Sequence, residues 1–280
     1  NSKPRITLDI PYTDIHGQTR TDTSGQRSVI GPISLITAAR LSTPAPPMLH
    51  SPPIPSAPDE FIVQVAGCRS AEEAHMLSAA GVDWIGFPLR LDVHAEDVSE
   101  AEAARIIGAL PTDVEPVLIT YEPSALQIRS MARKMGVRIV QVHGEMPLGE
   151  LKQLHCLAPG LRIIKSIVVG APEWKDPVAR MKRFLPFVHG FITDSFDPAS
   201  GARGATGKLH DWRISRKLVE ESPKPVILAG GLTPENVAAA VRAVRPAGVD
   251  CHTGVEQDNG AKNPVRVQQF RNRARAAAIK

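Results

Sequence analysis

From Phe61 to the C-terminus, strand-like and helix-like segments alternate eight times along the sequence. In the first repeat, the apolar run Phe61–Ala66 ends at Gly67, and Ser70 follows as a helix N-cap. Eight such repeats predict an α/β fold, the (β/α)8 TIM barrel. A doubly wound open sheet is the alternative, but it usually has fewer strands, and no GxGxxG motif follows the first strand. We therefore expect a barrel.

The bounds of the elements follow from apolar runs and from capping residues. We expect strands at Phe61–Ala66, Val82–Phe87, Val114–Thr120, Val137–Val142, Leu161–Val168, Val188–Thr193, Val226–Ala229 and Val249–Cys251. We expect helices at Ser70–Ala80, Ser99–Leu110, Ser124–Lys134, Leu148–Leu157, Pro177–Phe184 and Pro264–Ala278. Two more helices are expected to begin near Trp212 and at Pro234, the latter with Thr233 as its N-cap.

Residues 1–58 differ in composition from the rest of the chain. They hold 10 of the 25 prolines, many Ser and Thr residues, and no sustained apolar period. Proline blocks helices and central strands, so we expect a disordered tail over 1–58 and the barrel domain over 59–280. The sequence begins at Asn1 and its first methionine is Met48. Our hypothesis is that translation begins at Met48 and that residues 1–47 are non-native upstream sequence.

Composition and charge exclude several classes of protein. Hydrophobic residues make up 42% of the chain, but no segment approaches the roughly 20 apolar residues of a membrane span. The net charge is only +4 and aromatic residues are 4%, which argues against a nucleic-acid partner. Cys68, Cys156 and Cys251 lack CxxC spacing, so we expect neither zinc nor disulfides, and a reducing cytoplasm fits best. No His/Asp/Glu cluster has ligand spacing, and we expect no metal and no cofactor.

Two glycine-bearing strand ends predict a phosphate site. Strand seven ends at Gly230 and Gly231, strand eight ends at Thr253 and Gly254, and each leads towards a helix. Unblocked backbone N–H groups near a helix N-terminus are what a phosphate dianion needs. The alternative is that these glycines only make tight turns. Two such loops one strand–helix unit apart favour the phosphate site.

Six motifs in order give the chain a family resemblance. They are VQVHGE at 140–145, IIKSI at 163–167, GFITDS at 190–195, GATGKLHDW at 204–212, ILAGGLTPENV at 227–237 and GVDCHTGVE at 248–256. Together they resemble phosphoribosylanthranilate isomerase, the barrel enzyme of the tryptophan pathway, and the likeness runs from about Ile62 to Ala278. The resemblance implies an Amadori rearrangement, in which an acid opens an aminated phosphoribose and a base removes the C2′ proton to give a ketose.

The resemblance also implies roles for particular residues. Asp194 matches the family's general acid, at a strand end where a partly desolvated carboxyl could hold its proton near neutral pH. Its alternative role is to cap the turn-rich loop that follows. Gly230, Gly231, Thr253 and Gly254 match the family's phosphate loops. The remaining substrate-binding residues implied are His143, which is typical of the family, and the mobile-loop residues Gly204, Thr206 and Gly207.

The first departure from the family concerns the base. The family's base is a cysteine at the end of strand one, where this chain has Ala66. Cys68 lies two positions on with the same strand parity, and Arg69 beside it could lower the pKa of its thiol. Its alternative is a small apolar turn residue. His252, where the family has a small residue, is the other candidate base, or else a hydrogen-bond donor to the phosphate.

The second departure concerns the substrate's carboxylate. The family binds it with an arginine after strand two, where this chain has acidic Glu96 and Asp97. Arg90, earlier in the loop, is the candidate replacement, or else a solvated loop residue. The sequence thus also allows an isomerase or epimerase of another pentose phosphate, or a catalytically silent phosphosugar-binding barrel. We expect a monomer or a homodimer that binds a small phosphorylated sugar.

Overall fold

The computed structural model describes residues 61–91, 95–170, 176–195 and 210–279, and within them eight parallel strands close into a barrel. The strands are β1 (Ile62–Ala66), β2 (Trp84–Leu89), β3 (Glu115–Thr120), β4 (Ile139–Val142), β5 (Arg162–Val169), β6 (Gly190–Ser195), β7 (Val226–Leu228) and β8 (Gly248–Cys251). The helices are α1 (Ala71–Ala79), α2 (Glu100–Gly108), α3 (Ala125–Met135), α4 (Leu148–Leu157), α5 (Pro177–Phe184), α6 (Trp212–Glu221), α7 (Val237–Val244) and α8 (Pro264–Ala278). Each strand pairs with the next and β8 pairs with β1, which confirms the predicted fold.

Side chains of the strands alternate between the barrel interior and the ring of helices. The interior begins with a buried apolar layer, formed by Ile62, Trp84, Val117, Ile139, Ile164, Ile192 and Ile227. Two residues further along three of these strands, the inward positions carry Gln64, Gln141 and Asp194, which are also buried. An apolar floor therefore underlies a polar layer at the C-terminal ends of the strands.

The predicted start of α7 is wrong by about one turn. Thr233 Oγ1 accepts a hydrogen bond from Glu235 N at 3.2 Å, as an N-cap would. However, Asn236 Oδ1 accepts from Thr233 N at 2.8 Å, and Asn236 Nδ2 donates to Gly231 O at 2.9 Å. Asn236 thereby ties this segment into a turn, and the helix begins only at Val237.

Two strands also lie further along the chain than expected. β2 and β6 are displaced by two residues from the predicted ranges Val82–Phe87 and Val188–Thr193. The start of the first apolar run belongs to a turn, in which Asp83 Oδ2 accepts from Val63 N at 2.8 Å. An apolar run does not mark where parallel pairing begins. The shift places Asp194 inside β6, one residue before its end.

Some of the predicted features lie outside the described residues. These are the disordered tail over 1–58 and the substrate-binding loop residues Gly204, Thr206 and Gly207. Among the helices that the structure describes, none is long and apolar enough to cross a membrane.

The structure predicts an acid-sensitive fold through His189. Its Nδ1 accepts a hydrogen bond from Ile163 N at 3.1 Å, and burial, with nearby Arg162, lowers the pKa of His189 from 6.5 to about 4. The unfolded chain therefore takes up this proton near pH 6.5 and the folded chain only near pH 4. The neutral His189 therefore contributes to the free energy of unfolding. This contribution is fully present above pH 6.5 and declines as the pH falls towards 4.

We expect His189→Gln to reduce the loss of stability between pH 7 and pH 4.5 by on the order of 1 kcal/mol, measured by urea unfolding. His210 has its pKa lowered to about 4 by burial as well, so some pH dependence should remain. His75→Gln, at an exposed position of α1, is the control. A pH dependence identical to that of the unsubstituted protein would contradict the role of His189.

Candidate active site

A cavity of about 300 Å³ opens at the C-terminal ends of the strands. One wall is apolar and is formed by Pro88, Leu91, Ala95, Ile119 and Tyr121. The loops after β7 and β8 form another wall, with Gly230, Gly231, Thr253 and Gly254. Because β3 and β7 are four strands apart in an eight-stranded barrel, these two walls face each other across the cavity.

The loop after β7 has a backbone that glycine makes possible. Gly230 and Gly231 have φ values of 100° and 63°, which residues with a Cβ rarely adopt. A Cβ on Gly230 would lie 2.2 Å from Ser195 Oγ, so this loop runs directly against the end of β6. The backbone N–H groups of Gly230 and Gly231 find no acceptor among the described residues, whereas that of Gly254 faces Cys251 Sγ. The N–H groups of Gly230 and Gly231 are available to an anion in the cavity.

The loops after β7 and β8 are packed against each other. Cys251 Sγ donates to Leu232 O at 3.0 Å, and a Cβ on Gly254 would lie 2.0 Å from the same oxygen. On the other side, Arg266 of α8 donates from Nη2 to Gly254 O at 2.9 Å. This arrangement fixes the loop backbone and brings a guanidinium close to it, which suits the binding of a phosphate group.

Asp194 and His143 form a buried pair in the cavity. Asp194 Oδ2 lies 3.0 Å from His143 Nδ1, and Asp194 Oδ1 accepts from Ser195 N at 2.8 Å. Asp194 is only 5% exposed. The structure therefore brings together two of the residues that the resemblance singles out, and it places a carboxyl and an imidazole within one hydrogen bond of each other.

A hydrogen-bonded chain extends this pair across the barrel. Asp250 Oδ1 accepts from Gln64 Nε2 at 2.8 Å, and Gln64 Oε1 accepts from Gln141 Nε2 at 2.7 Å. Gln141 Oε1 lies 3.4 Å from His143 Nε2, and His143 reaches Asp194. Burial raises the pKa of Asp250 to about 6.

Sequence reasoning missed this chain of residues. Each polar member occupies an inward position on an otherwise apolar strand, and this alternation is the signal that could have identified Gln64, Gln141 and Asp250. Their mutual contacts depend on which strands the barrel makes neighbours, so the sequence pattern could not have supplied the order of the chain.

His252 lies in the cavity beside the end of β1. Val65 pairs with Cys251 across β1 and β8, so His252 follows at the level of Ala66. Its imidazole rests on Gly67, where a Cβ would lie 2.1 Å from His252 Nε2. The same nitrogen is 3.4 Å from Glu256 Oε1 and 3.7 Å from Asp97 Oδ2. The carboxylates favour a hydrogen on Nε2.

Cys68, the other candidate base, does not line the cavity. It is fully buried, and its Sγ donates to Ser70 O at 3.4 Å. Burial, with a smaller effect of Glu73, raises the pKa of Cys68 to about 12. Arg69, expected to lower this pKa, donates instead to Asn259 O. A thiol that keeps its proton at neutral pH cannot act as a base, and this placement argues against Cys68.

Arg90 also lies away from the cavity lining. Its Nε donates to Glu100 at 2.9 Å and its Nη1 donates to Glu122 at 2.6 Å. These two carboxylates already occupy the guanidinium, and the hydrogen bond to Glu122 raises the pKa of Arg90. The expectation that Arg90 binds a substrate carboxylate therefore finds no support in its contacts.

Lys165, in the middle of β5, supports the site from outside the cavity lining. Its Nζ donates to Val142 O at 3.1 Å and to Gly144 O at 2.9 Å, the two carbonyls that flank His143. Burial lowers the pKa of Lys165 to about 7. The lysine holds the end of β4 in place and thereby orients His143 towards Asp194.

The chain matches a known protein family over most of its barrel. A sequence profile described as N-(5'phosphoribosyl)anthranilate (PRA) isomerase matches residues 63–273. The chain belongs to the phosphoribosylanthranilate isomerase family. It is 37% identical over 214 residues to N-(5'-phosphoribosyl)anthranilate isomerase 2 of Methanosarcina mazei, covering 76% of this chain and 93% of the relative. It is 38% identical over 219 residues to the isomerase of Moorella thermoacetica, covering 77% and 90%.

Solved structures of family members have the same fold. The phosphoribosylanthranilate isomerase of Thermotoga maritima superimposes with a TM-score of 0.65 at 27% identity, over 77% of this chain and 99% of that one. A second structure, at a TM-score of 0.63 and 26% identity over the same shares, is a complex with reduced 1-(o-carboxyphenylamino)-1-deoxyribulose 5-phosphate.

The packing of the two loops generates a prediction about anion binding. Gly254→Ala would place a methyl group 2.0 Å from Leu232 O, and the loops must separate to admit it. We expect the affinity for inorganic phosphate, measured by calorimetry, to fall by on the order of tenfold or more, because the N–H groups diverge. The control is Gly149→Ala on α4, where nothing lies within 4 Å of the added carbon. Equal affinities of the two variants would contradict a phosphate site here.

Proposed function

We propose that this protein catalyses the aldose-to-ketose isomerisation of phosphoribosylanthranilate in tryptophan biosynthesis, with Asp194 as the acid and His252 as the base. The observation that carries this proposal is the division of a single cavity into two facing walls. Backbone donors on the loop after β7 suit the phosphate, and the apolar wall beside Tyr121 suits an aromatic ring. Asp194 and His252 both line the same cavity, where the ribose carbons would lie.

The pair formed by Asp194 and His143 suits the first step of this reaction. A proton held in their 3.0 Å contact can pass to the ring oxygen of the sugar. The bond between C1′ and that oxygen breaks, and the nitrogen lone pair forms a C1′=N double bond, giving an iminium ion. Burial of both side chains keeps water from competing for the proton.

His252 suits the second step. Nδ1 takes the proton from C2′, and the electrons of that bond form C1′=C2′ while the iminium nitrogen becomes neutral. The carboxylates of Asp97 and Glu256 stabilise the imidazolium that results. The enolamine then becomes the ketose, as its C2′ hydroxyl loses a proton and C1′ gains one. We infer that this histidine replaces the cysteine that family members carry at the position of Ala66.

Neither alternative function accounts for the whole cavity. A silent phosphosugar-binding protein would need the loops after β7 and β8 but not an imidazole flanked by carboxylates. An isomerase or epimerase of a simple pentose phosphate would not need the apolar wall.

We further place the enzyme in a reducing cytoplasm, because its three cysteines are free. Its oligomeric state stays a prediction, monomer or homodimer, and one Thermotoga maritima relative is described as dimeric.

Asp194→Asn should abolish turnover, because an amide cannot supply the proton for ring opening. With phosphoribosylanthranilate generated in situ, we expect kcat to fall by on the order of 100-fold or more while inorganic phosphate binds as before. Asp113→Asn, at an exposed position before β3, removes the same charge as a control. Turnover that survives in the Asp194→Asn variant would exclude Asp194 as the acid, and no turnover by the unsubstituted protein would exclude the reaction.

His252→Gln should lower kcat by on the order of 100-fold with little change in KM, because glutamine keeps the polar contacts but accepts no proton. Adding Ala66→Cys to this variant places the family's base at its usual position, and we expect part of the activity to return. Steady-state kinetics of the single and double variants measure both effects. Full activity in His252→Gln would show that another group removes the C2′ proton.

A further inference from the structure

The series of hydrogen bonds from Asp250 to Asp194 has a fixed donor-to-acceptor direction, because an ionised carboxylate can only accept hydrogen bonds. Asp250 therefore orients the amide of Gln64 with Nε2 towards itself, and Gln64 Oε1 faces the next residue. Gln141 must then donate from Nε2, which leaves its Oε1 facing His143. One charge at the end of the chain thus sets the orientation of both amides.

The orientation of Gln141 decides where His143 carries its hydrogen. An amide oxygen can only accept, so the 3.4 Å contact with Nε2 is a hydrogen bond only when that nitrogen carries a hydrogen. A neutral imidazole then has no hydrogen on Nδ1, yet Nδ1 lies 3.0 Å from Asp194 Oδ2. This contact is a hydrogen bond only when the pair holds one further proton, either on the carboxyl or on Nδ1.

The opposite orientation of the Gln141 amide would leave the His143–Asp194 pair without a proton to donate. If Gln141 offered its NH2 group to His143, Nε2 would accept, and the single hydrogen of the imidazole would lie on Nδ1. That hydrogen would satisfy an ionised Asp194, and the pair would have no proton to give. The two orientations therefore differ in whether a transferable proton is present at the sugar ring.

We propose that Asp250 is a positioning residue: its carboxylate, acting through Gln64 and Gln141, keeps a transferable proton in the His143–Asp194 pair. The inference rests on the proposed function, since it explains how Asp194 is kept ready to open the ring. Asp250 is 186 residues from Gln64 in sequence, and only the closure of β8 onto β1 brings the two side chains together.

The electrostatic surroundings of Asp250 support this role. Its neighbouring charged or titratable groups include His143 after β4, Asp194 of β6, the adjacent Cys251 and Lys262 before α8. Burial raises the pKa of Asp250 to about 6, and above that pH the ionised carboxylate holds the orientation of Gln64. Below that pH a protonated Asp250 can donate, and the constraint on Gln64 is lifted.

The test compares Asp250→Asn with Gln64→Leu, which breaks the chain but keeps the Asp250 charge. For both variants we expect kcat to fall by on the order of 10-fold or more with KM little changed. The basic limb of the pH profile of kcat should move to lower pH, because the acid gives up its proton more readily. The double variant should be no worse than either single one, since both break the same chain.

A direct role of Asp250 would give a different pattern. If Asp250 contacts the substrate, or acts only by its charge, Gln64→Leu will leave the pH profile unmoved and the double variant will show additive losses. Either result overturns the proposal. If Gln64→Leu folds poorly, Gln141→Met breaks the next link and makes the same comparison. Asp113→Asn removes an equal charge at an exposed site and should change neither kcat nor its pH profile.

A second measurement does not depend on activity. In the full-length protein labelled with ¹⁵N-histidine, we expect NMR to show His143 Nε2 protonated at neutral pH, with the signal assigned by its loss in His143→Gln. Asp250→Asn should reduce that protonation. An unprotonated Nε2 in the unsubstituted protein overturns the inference even if the enzyme turns over. If Nε2 is protonated but the protein has no isomerase activity, the inferred hydrogen-bond series remains supported and only the proposed reaction is contradicted.

Discussion

Closure of the sheet between β1 and β8 is the constraint on which the rest of the site depends. The pairing of these strands sets Gln64 opposite Asp250 and brings His252 to the level of Ala66. A shift of one residue would turn every one of these side chains towards the helices, because neighbouring residues of a strand face opposite sides. The same register carries the loop after β8 against the loop after β7, where Cys251 bonds Leu232 O.

Polar groups inside the barrel require partners, since an unpaired buried amide or carboxylate is costly. The chain meets this requirement by joining Gln64 and Gln141 into one sequence of hydrogen bonds that ends in acidic groups on β6 and β8. The requirement and the proposed chemistry therefore coincide. A network that satisfies every member also fixes their orientation, and a fixed orientation is what an acid needs in order to be ready before substrate arrives.

Our proposal that His252 is the base describes how a barrel can tolerate the loss of a functional residue. Strand ends converge on one cavity, so a neighbouring strand can supply a group that reaches the same space. In this chain Ala66 leaves room beside Gly67, and the imidazole of His252 occupies it from β8. The surrounding carboxylates come from the loop before α2 and from the segment after β8, regions that a barrel can vary without disturbing its core.

The sequence by itself determined the fold and located the loops that we propose bind phosphate. Eight alternating segments and their apolar runs define the barrel, and the glycine pair after β7 marks where backbone donors are exposed, because both signals are local. Asp194 and His143 were singled out by the family resemblance, through the motifs VQVHGE and GFITDS. The ends of helices and strands were harder to predict from the sequence. Helix α7 begins only after Asn236, whose hydrogen bonds to Thr233 and Gly231 are not visible in the apolar periodicity.

Only the tertiary structure decided which side chains meet. Cys68 and Arg90 had suitable chemistry and suitable sequence positions, yet one is buried behind β1 and the other is held by Glu100 and Glu122. Asp250 and Gln64 are far apart in sequence and become partners only when the barrel closes. The physical reason is that parity along a strand is a local property, whereas burial, hydrogen-bond partners and pKa values depend on the strands and loops that packing places alongside.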